Sequence, residues 1–157
     1  MTAAEIVNTA QAGWKIIDEG RALASGRANA LPRVDDCQTL TDVRGPQEVS
    51  WRLHYANGFG QDVVDIWFVM RFDHSARYRG GGAFITNVWL DVPTCNVLWG
   101  YHVNVDLATQ PPENDGSEAA PLARLAVTVQ GTVATPFWTE TKQWSFLLLG
   151  NGAARVL

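Results

Sequence analysis

The sequence predicts a mainly β protein: an antiparallel β-sandwich, with a closed β-barrel as the alternative, carrying one N-terminal amphipathic α-helix. Three observations lead there. Over Asn96 to Leu107, Val97, Trp99, Tyr101, Val103, Val105 and Leu107 alternate with Asn96, Leu98, Gly100, His102, Asn104 and Asp106, a period of two that puts one apolar and one polar face on a strand. The same period recurs in several other stretches. The connections between these stretches are short and hold no helical crossover, which favours antiparallel pairing.

The helix is expected first. Thr2-Ala3-Ala4-Glu5 has the form of a capping box, in which the Thr hydroxyl and the Glu carboxylate satisfy each other's amide groups. Ile6, Ala10, Gly13, Trp14 and Ile17 follow at helical spacing, and Gly20 is a stop signal. The helix is therefore placed near 3–19, within a segment bounded at 2–20. Residues 21–48 show no period and several breakers, among them Pro32 and Pro46. They are expected to hold a short strand or to cross the surface as an extended arm, with Leu40 or Val43 tucked inward.

Strands are expected near 49–55, 63–72, 83–90, 96–107, 123–133 and 139–149. Trp51, Leu53 and Tyr55 alternate with Arg52 and His54, and Asn57-Gly58 supplies the positive φ angles of a tight hairpin. Val63 to Phe72 is apolar on both sides and needs cover on both; the N-terminal helix is the expected cover over Trp67 and Val69. Pro93 ends the third strand and Pro136 the fifth. The whole chain, 1–157, reads as a single domain long enough to bury its own core.

The net charge is −4 and the pI about 5.2. Phosphate backbones require a basic face, so nucleic-acid binding is disfavoured, as is strong attraction to anionic lipid. Cys37 and Cys95 are too few for a disulfide framework and lack metal-ligand spacing; buried free thiols are favoured over one long-loop disulfide. No secretory signal and no span-length apolar run is visible. A soluble product is expected, cytoplasmic or released without a visible signal peptide.

The strongest candidate ligand site is the loop Arg77-Tyr78-Arg79-Gly80-Gly81-Gly82. Glycines let successive amides point into one anion-holding concavity, and arginines add charge. Trp89, and with it Trp138, should lie off the core and offer a ring to a sugar or a membrane interface. Seven Trp is a high count for this length, most of them expected in the core. Glu113 to Glu118 concentrates oxygen ligands but does not follow a calcium-loop order. His54 and His102 would converge if their strands paired. No nucleophile elbow, paired-His motif or Cys–His arrangement is present, so neither a catalytic residue, a metal site nor a cofactor is assigned, and the chain is read as a non-enzyme.

Two functions fit these features. The first is a cell-surface binding module for a carbohydrate or lipid headgroup, extending to a membrane-active, pore-forming protein. An amphipathic leading helix before an aromatic-rich β-sandwich is similar in plan to the actinoporin-type cytolysins. That resemblance implies a helix that detaches into the bilayer and aromatics that hold lipid headgroups; no motif aligns, so no site residue is carried over. Acidic Glu5, Asp18 and Glu19 on the helix speak against it, since surface-seeking helices are usually basic on their polar side. The second is a structural subunit assembling into homo-oligomers through sheet edges or exchanged arms.

Overall fold

The computed structural model describes residues 5–23, 26–33 and 40–157. Its strands are β1 Ile6–Val7, β2 Gly13–Asp18, β3 Arg21–Ala22, β4 Ala28–Pro32, β5 Leu40–Thr41, β6 Arg44–Ala56, β7 Asp62–His74, β8 Ala76–Tyr78, β9 Gly81–Val97, β10 His102–Thr109, β11 Glu113–Asn114, β12 Ala123–Ala134, β13 Thr139–Leu149 and β14 Ala154–Val156. They form two seven-stranded sheets. The first runs β1-β4-β9-β7-β6, with β8 joining β9 and β5 joining β8; the second runs β14-β13-β12-β10-β2-β3, with β11 on β12. The ladders are antiparallel and neither sheet closes into a barrel. The layered β architecture expected from the alternation is the one observed.

Alternation explains the core. In β12 Leu125, Val127, Val129 and Val133 are buried while Arg124, Thr128, Gln130 and Thr132 face outward. Val103, Val105 and Leu107 of β10 and Ile66, Phe68, Met70 and Phe72 of β7 complete the interior. Trp51 stacks on Phe68 at 5.2 Å and meets Phe146 at 4.6 Å, and Trp144 lies 5.9 Å from Phe68. Trp51 and Phe68 belong to one sheet, Trp144 and Phe146 to the other, so this aromatic group fastens the two layers.

The leading helix does not form. Among the described residues there is no helix; Thr2, Ala3 and Ala4 of the expected capping box lie outside them. Ile16 and Ile17 are both fully buried in β2, which pairs with β10 across a bulge at Val105/Asp106. The stripe that reads as helical is split: Ile6 is buried in β1 of one sheet and Ile17 in β2 of the other, while Ala10 and Gly13 are exposed, and pairing with an open edge of β10 outweighs a weak helix propensity at Gly13 and the β-branched isoleucines. Between β1 and β2 the backbone is held by asparagines. Asn8 Oδ1 accepts from Ala10 N and Asn29 N, Asn29 Oδ1 accepts from Thr9 N, and Asn29 Nδ2 donates to Thr9 Oγ1.

With no helix, Trp67 takes its cover from Arg52, whose guanidinium lies 5.4 Å from the ring centre. Within 21–48, the wholly buried β4 sits between β1 and β9, so a short interior strand forms there. Leu40 is half-buried against the core and Val43 is exposed. The expected strand 96–107 is two strands, because the chain turns at Leu98 to Tyr101: Tyr101 N donates to Leu98 O, and Gly100 has φ +92°. Nor does Pro93 end β9. It is exposed at a bulge, where β9 carries one residue more than β7, a place that tolerates a missing amide.

Replacing Phe68 with Ala should cost about 3–5 kcal/mol, the usual penalty for emptying a buried aromatic site, read from equilibrium denaturant unfolding. Asn29→Ala should cost about 1–3 kcal/mol, because the Thr9 amide loses its acceptor in a half-buried place.

Candidate functional site

The alternation leaves one group of aromatic side chains almost wholly outside the core. Phe59, Trp99 and Phe137 are 97%, 95% and 93% exposed. Each stands on a different loop: 57–61 between β6 and β7, 98–101 between β9 and β10, and 135–138 between β12 and β13. The three loops are neighbours at one end of the sandwich. Trp138 contacts Tyr55 at 6.0 Å between ring centres and Tyr101 at 6.3 Å, which ties all three loops together. Leu98 N also donates to Val63 O beside the first loop. An open cleft of about 490 Å³ runs past Glu19, Trp99, Tyr101, His102 and Pro136.

Each tip is braced by its own side chains. Asn57 Oδ1 accepts from Phe59 N at 2.9 Å and Gln61 N at 3.0 Å, and Asn57 N donates to Gln61 O. This replaces the expected two-residue Asn-Gly turn with a longer loop built on an Asn side chain. Thr135 Oγ1 accepts from Phe137 N and Trp138 N, both at 3.2 Å, while Thr135 N donates to Trp138 O. At Leu98-Trp99-Gly100-Tyr101 the positive φ at the third residue is the demand of a type II turn, which glycine meets at no steric cost.

The stretches 55–61, 97–101 and 134–139 contain no Asp, Glu, Lys, Arg or His. Charge begins just behind them. His54 Nε2 lies 2.6 Å from Asp62 Oδ1, and His102 Nδ1 lies 2.7 Å from Glu19 Oε2. Hydrogen bonds from His102 and Asn104 hold the Glu19 carboxyl below its ordinary value. Lys142 Nζ stands 4.6 Å over the Tyr55 ring. Burial, with the Glu140 carboxylate acting in the same direction, pushes the Tyr55 phenol up to about 12, so Tyr55 stays neutral at any physiological pH. The two histidines do not converge, since β6 and β10 belong to different sheets.

The glycine-rich loop lies at the opposite end. Arg79 and Gly80 have φ of 51° and 73° and form the tight turn between the paired Tyr78 and Gly81, as a type I′ hairpin requires. A side chain at Gly82 would meet Phe84 and Pro121 at 2.7 and 3.0 Å, and Ala83 N donates to Pro121 O. The run thus serves a turn and a close approach. Arg77 is exposed, and the Arg79 guanidinium lies 5.1 Å from the Tyr78 ring centre. Trp89 is half-buried midway along β9 with Arg27 5.4 Å over its ring. The structure therefore keeps Trp89 apart from 77–82, and both far from the tips.

Elsewhere, Asn114 organises the acidic loop by accepting from Gly116 N and Leu122 N, and Arg124 faces Glu113 and Asp115 at 3.8 Å. Among the described residues no three His, Cys, Asp or Glu side chains gather as metal ligands. Cys95 is half-buried, its thiol pushed up by burial and directed at Gly20 O; Cys37, and any disulfide with it, lies outside the described residues. No described helix is long and apolar enough to cross a membrane. Comparison with protein-family models, curated proteins and solved structures finds no match.

Of the tip aromatics, the sequence reading places only Trp138 off the core. Trp99 falls on the apolar side of a strand if alternation is counted straight through Gly100. The missed signal is compositional: three charge-free loops, each carrying an exposed aromatic beside a turn residue.

Because the Glu19 carboxyl is depressed in the folded state, its pairing with His102 contributes stability above its ordinary value of 4.5, and that contribution fades as pH falls through the lower folded value. Glu19→Gln should therefore lower the melting temperature slightly at neutral pH, with the gap to wild type closing on acidification below 4.5.

Proposed function

We propose that this chain is a peripheral membrane-binding module that docks end-on, pressing Phe59, Trp99 and Phe137 into the interfacial layer of a bilayer. The observation that carries the reading is the near-complete exposure of three large aromatics on three adjoining loop tips. A soluble surface rarely offers apolar rings grouped this way without a partner, and aromatic rings favour the headgroup region of a membrane.

Two features favour a bilayer over a protein or a glycan. The rings stand on separate prongs, each almost wholly in solvent, so a rigid partner would need three matched pockets whereas a fluid interface deforms around them. The tip polar groups are largely used within the loops: the Asn57 and Thr135 oxygens bind their own backbone amides. That lowers the desolvation cost of entering a less polar layer and leaves few free groups to match sugar hydroxyls. Burying one Phe contributes roughly 1.5–3 kcal/mol, so three partly inserted rings give a few kcal/mol. This is the range of a single myristoyl chain, about 10⁴ M⁻¹, and the docking is reversible.

The leading-helix route into a bilayer is not part of this reading, because residues 13–18 are a paired strand. Vesicle flotation tests the proposal. Each single replacement, Phe59→Ala, Trp99→Ala or Phe137→Ala, should weaken binding about fivefold to tenfold, in line with a partly inserted ring. The triple replacement should abolish it, and Trp emission should shift to the blue when vesicles are added to wild type. Arg77→Ala with Arg79→Ala should leave binding unchanged, since that loop points away from the docked surface. Undiminished binding by the triple variant overturns the reading. So does a wild-type protein that self-associates without vesicles and becomes monomeric when the tips are replaced.

A further inference from the structure

Resting on that docking reading, we propose a ligand class for it: the tips take an electrically neutral bilayer of zwitterionic phospholipid and discriminate against an anionic one. Proteins drawn to anionic leaflets set lysines and arginines immediately beside the inserting element, where each contributes through the surface potential. Here the inserting loops carry no charge at all, and the belt behind them is rich in carboxylates.

Element by element, the β2–β3 turn contributes Asp18 and Glu19 with Arg21, which is Asp18's register partner. The β6–β7 loop contributes Asp62, joined to His54. The start of β10 contributes His102, joined to Glu19. The start of β13 contributes Glu140 and Lys142, the lysine held over the Tyr55 ring. Further back, Lys15 reaches Asp18 at 3.2 Å, and Arg52 is bound to Asp65 at 2.7 Å. Of the fixed cations of the belt, Lys15 and Arg52 lie against carboxylates, Lys142 lies over a ring and Arg21 stands in register with Asp18, while Asp62 is joined to an imidazole and Glu19 to an imidazole and the Asn104 amide. Counting fixed charges, five carboxylates (Asp18, Glu19, Asp62, Asp65 and Glu140) stand against four cations (Lys15, Arg21, Arg52 and Lys142), so an approaching anionic surface meets a small excess of fixed negative charge. The exposed arginines that could reverse this, Arg77 and Arg79, sit at the far end of β9, roughly 50 Å of strand away, well beyond the Debye length of about 8 Å at physiological salt.

The experiment compares flotation on phosphatidylcholine vesicles with flotation on vesicles to which phosphatidylserine has been added, at low and at physiological ionic strength. Wild type should bind phosphatidylcholine, bind the serine-containing vesicles several-fold less at low salt, and lose most of that difference when salt is raised. The double variant Glu19→Gln, Asp62→Asn should raise the serine-to-choline binding ratio by about fivefold for each charge removed. Equal or stronger binding to serine-containing vesicles, or a ratio that neither salt nor the double variant moves, overturns the charge selection while the docking reading stands. Failure to bind either vesicle, or binding that survives replacement of Phe59, Trp99 and Phe137, overturns the docking reading itself.

Discussion

The structure depends on one constraint: most strands of these antiparallel sheets hide one side and wet the other, so each sheet must bury its apolar side against the other. Trp51 and Phe68 from one layer and Trp144 and Phe146 from the other meet in that space. The rule reaches even β2, whose adjacent isoleucines are both buried where a bulge shifts the register on β10; β4, buried on both sides, is the exception. The same constraint makes the outer surface informative. Once the inward positions are filled, apolar rings that still face water have no structural partner, and they are concentrated on the loops at one end.

β9 runs the length of the molecule and separates two ends of different character. At its start, the Gly80 turn and the close approach at Gly82 seat the chain against Pro121. At its finish, the Gly100 turn lifts Trp99 into solvent. The three aromatic loops are short and internally bonded, through Asn57 and Thr135 in particular. A docking element of this kind loses little conformational entropy on binding, because its rings are already held in place.

The outer faces explain why contact should be confined to that end. On the first sheet, Arg71 binds Glu48 and Asp91, Arg52 binds Asp65, and Arg52 and Arg27 cover Trp67 and Trp89. Such exposed pairs contribute little stability individually. Their effect is to mask apolar rings along the sheet, so that Phe59, Trp99 and Phe137 are the rings left uncovered. On the second sheet, Thr128, Gln130, Thr132, Thr141, Gln143 and Ser145 make an uncharged polar patch across β12 and β13, bordered by Asp106 of β10.

Alternation in the sequence by itself determined the layered antiparallel β architecture, and with it the buried side of β7, β10 and β12, because a period of two is a local property that any half-buried strand must satisfy. It could not decide between helix and strand for residues 6–17, where a stripe at helical spacing would bury Ile6 and Ile17 and the paired strands bury these and Ile16 as well; the free edge of β10 made that choice for β2. It could not show that the count breaks at Gly100, since whether Trp99 is buried or exposed follows from the turn and not from parity. Nor could it tell that loops at 57–61, 98–101 and 135–138 are neighbours. Adjacency of loops distant in sequence is set by strand order, and strand order is a matter of which edges meet in three dimensions, a long-range outcome on which local pattern is silent.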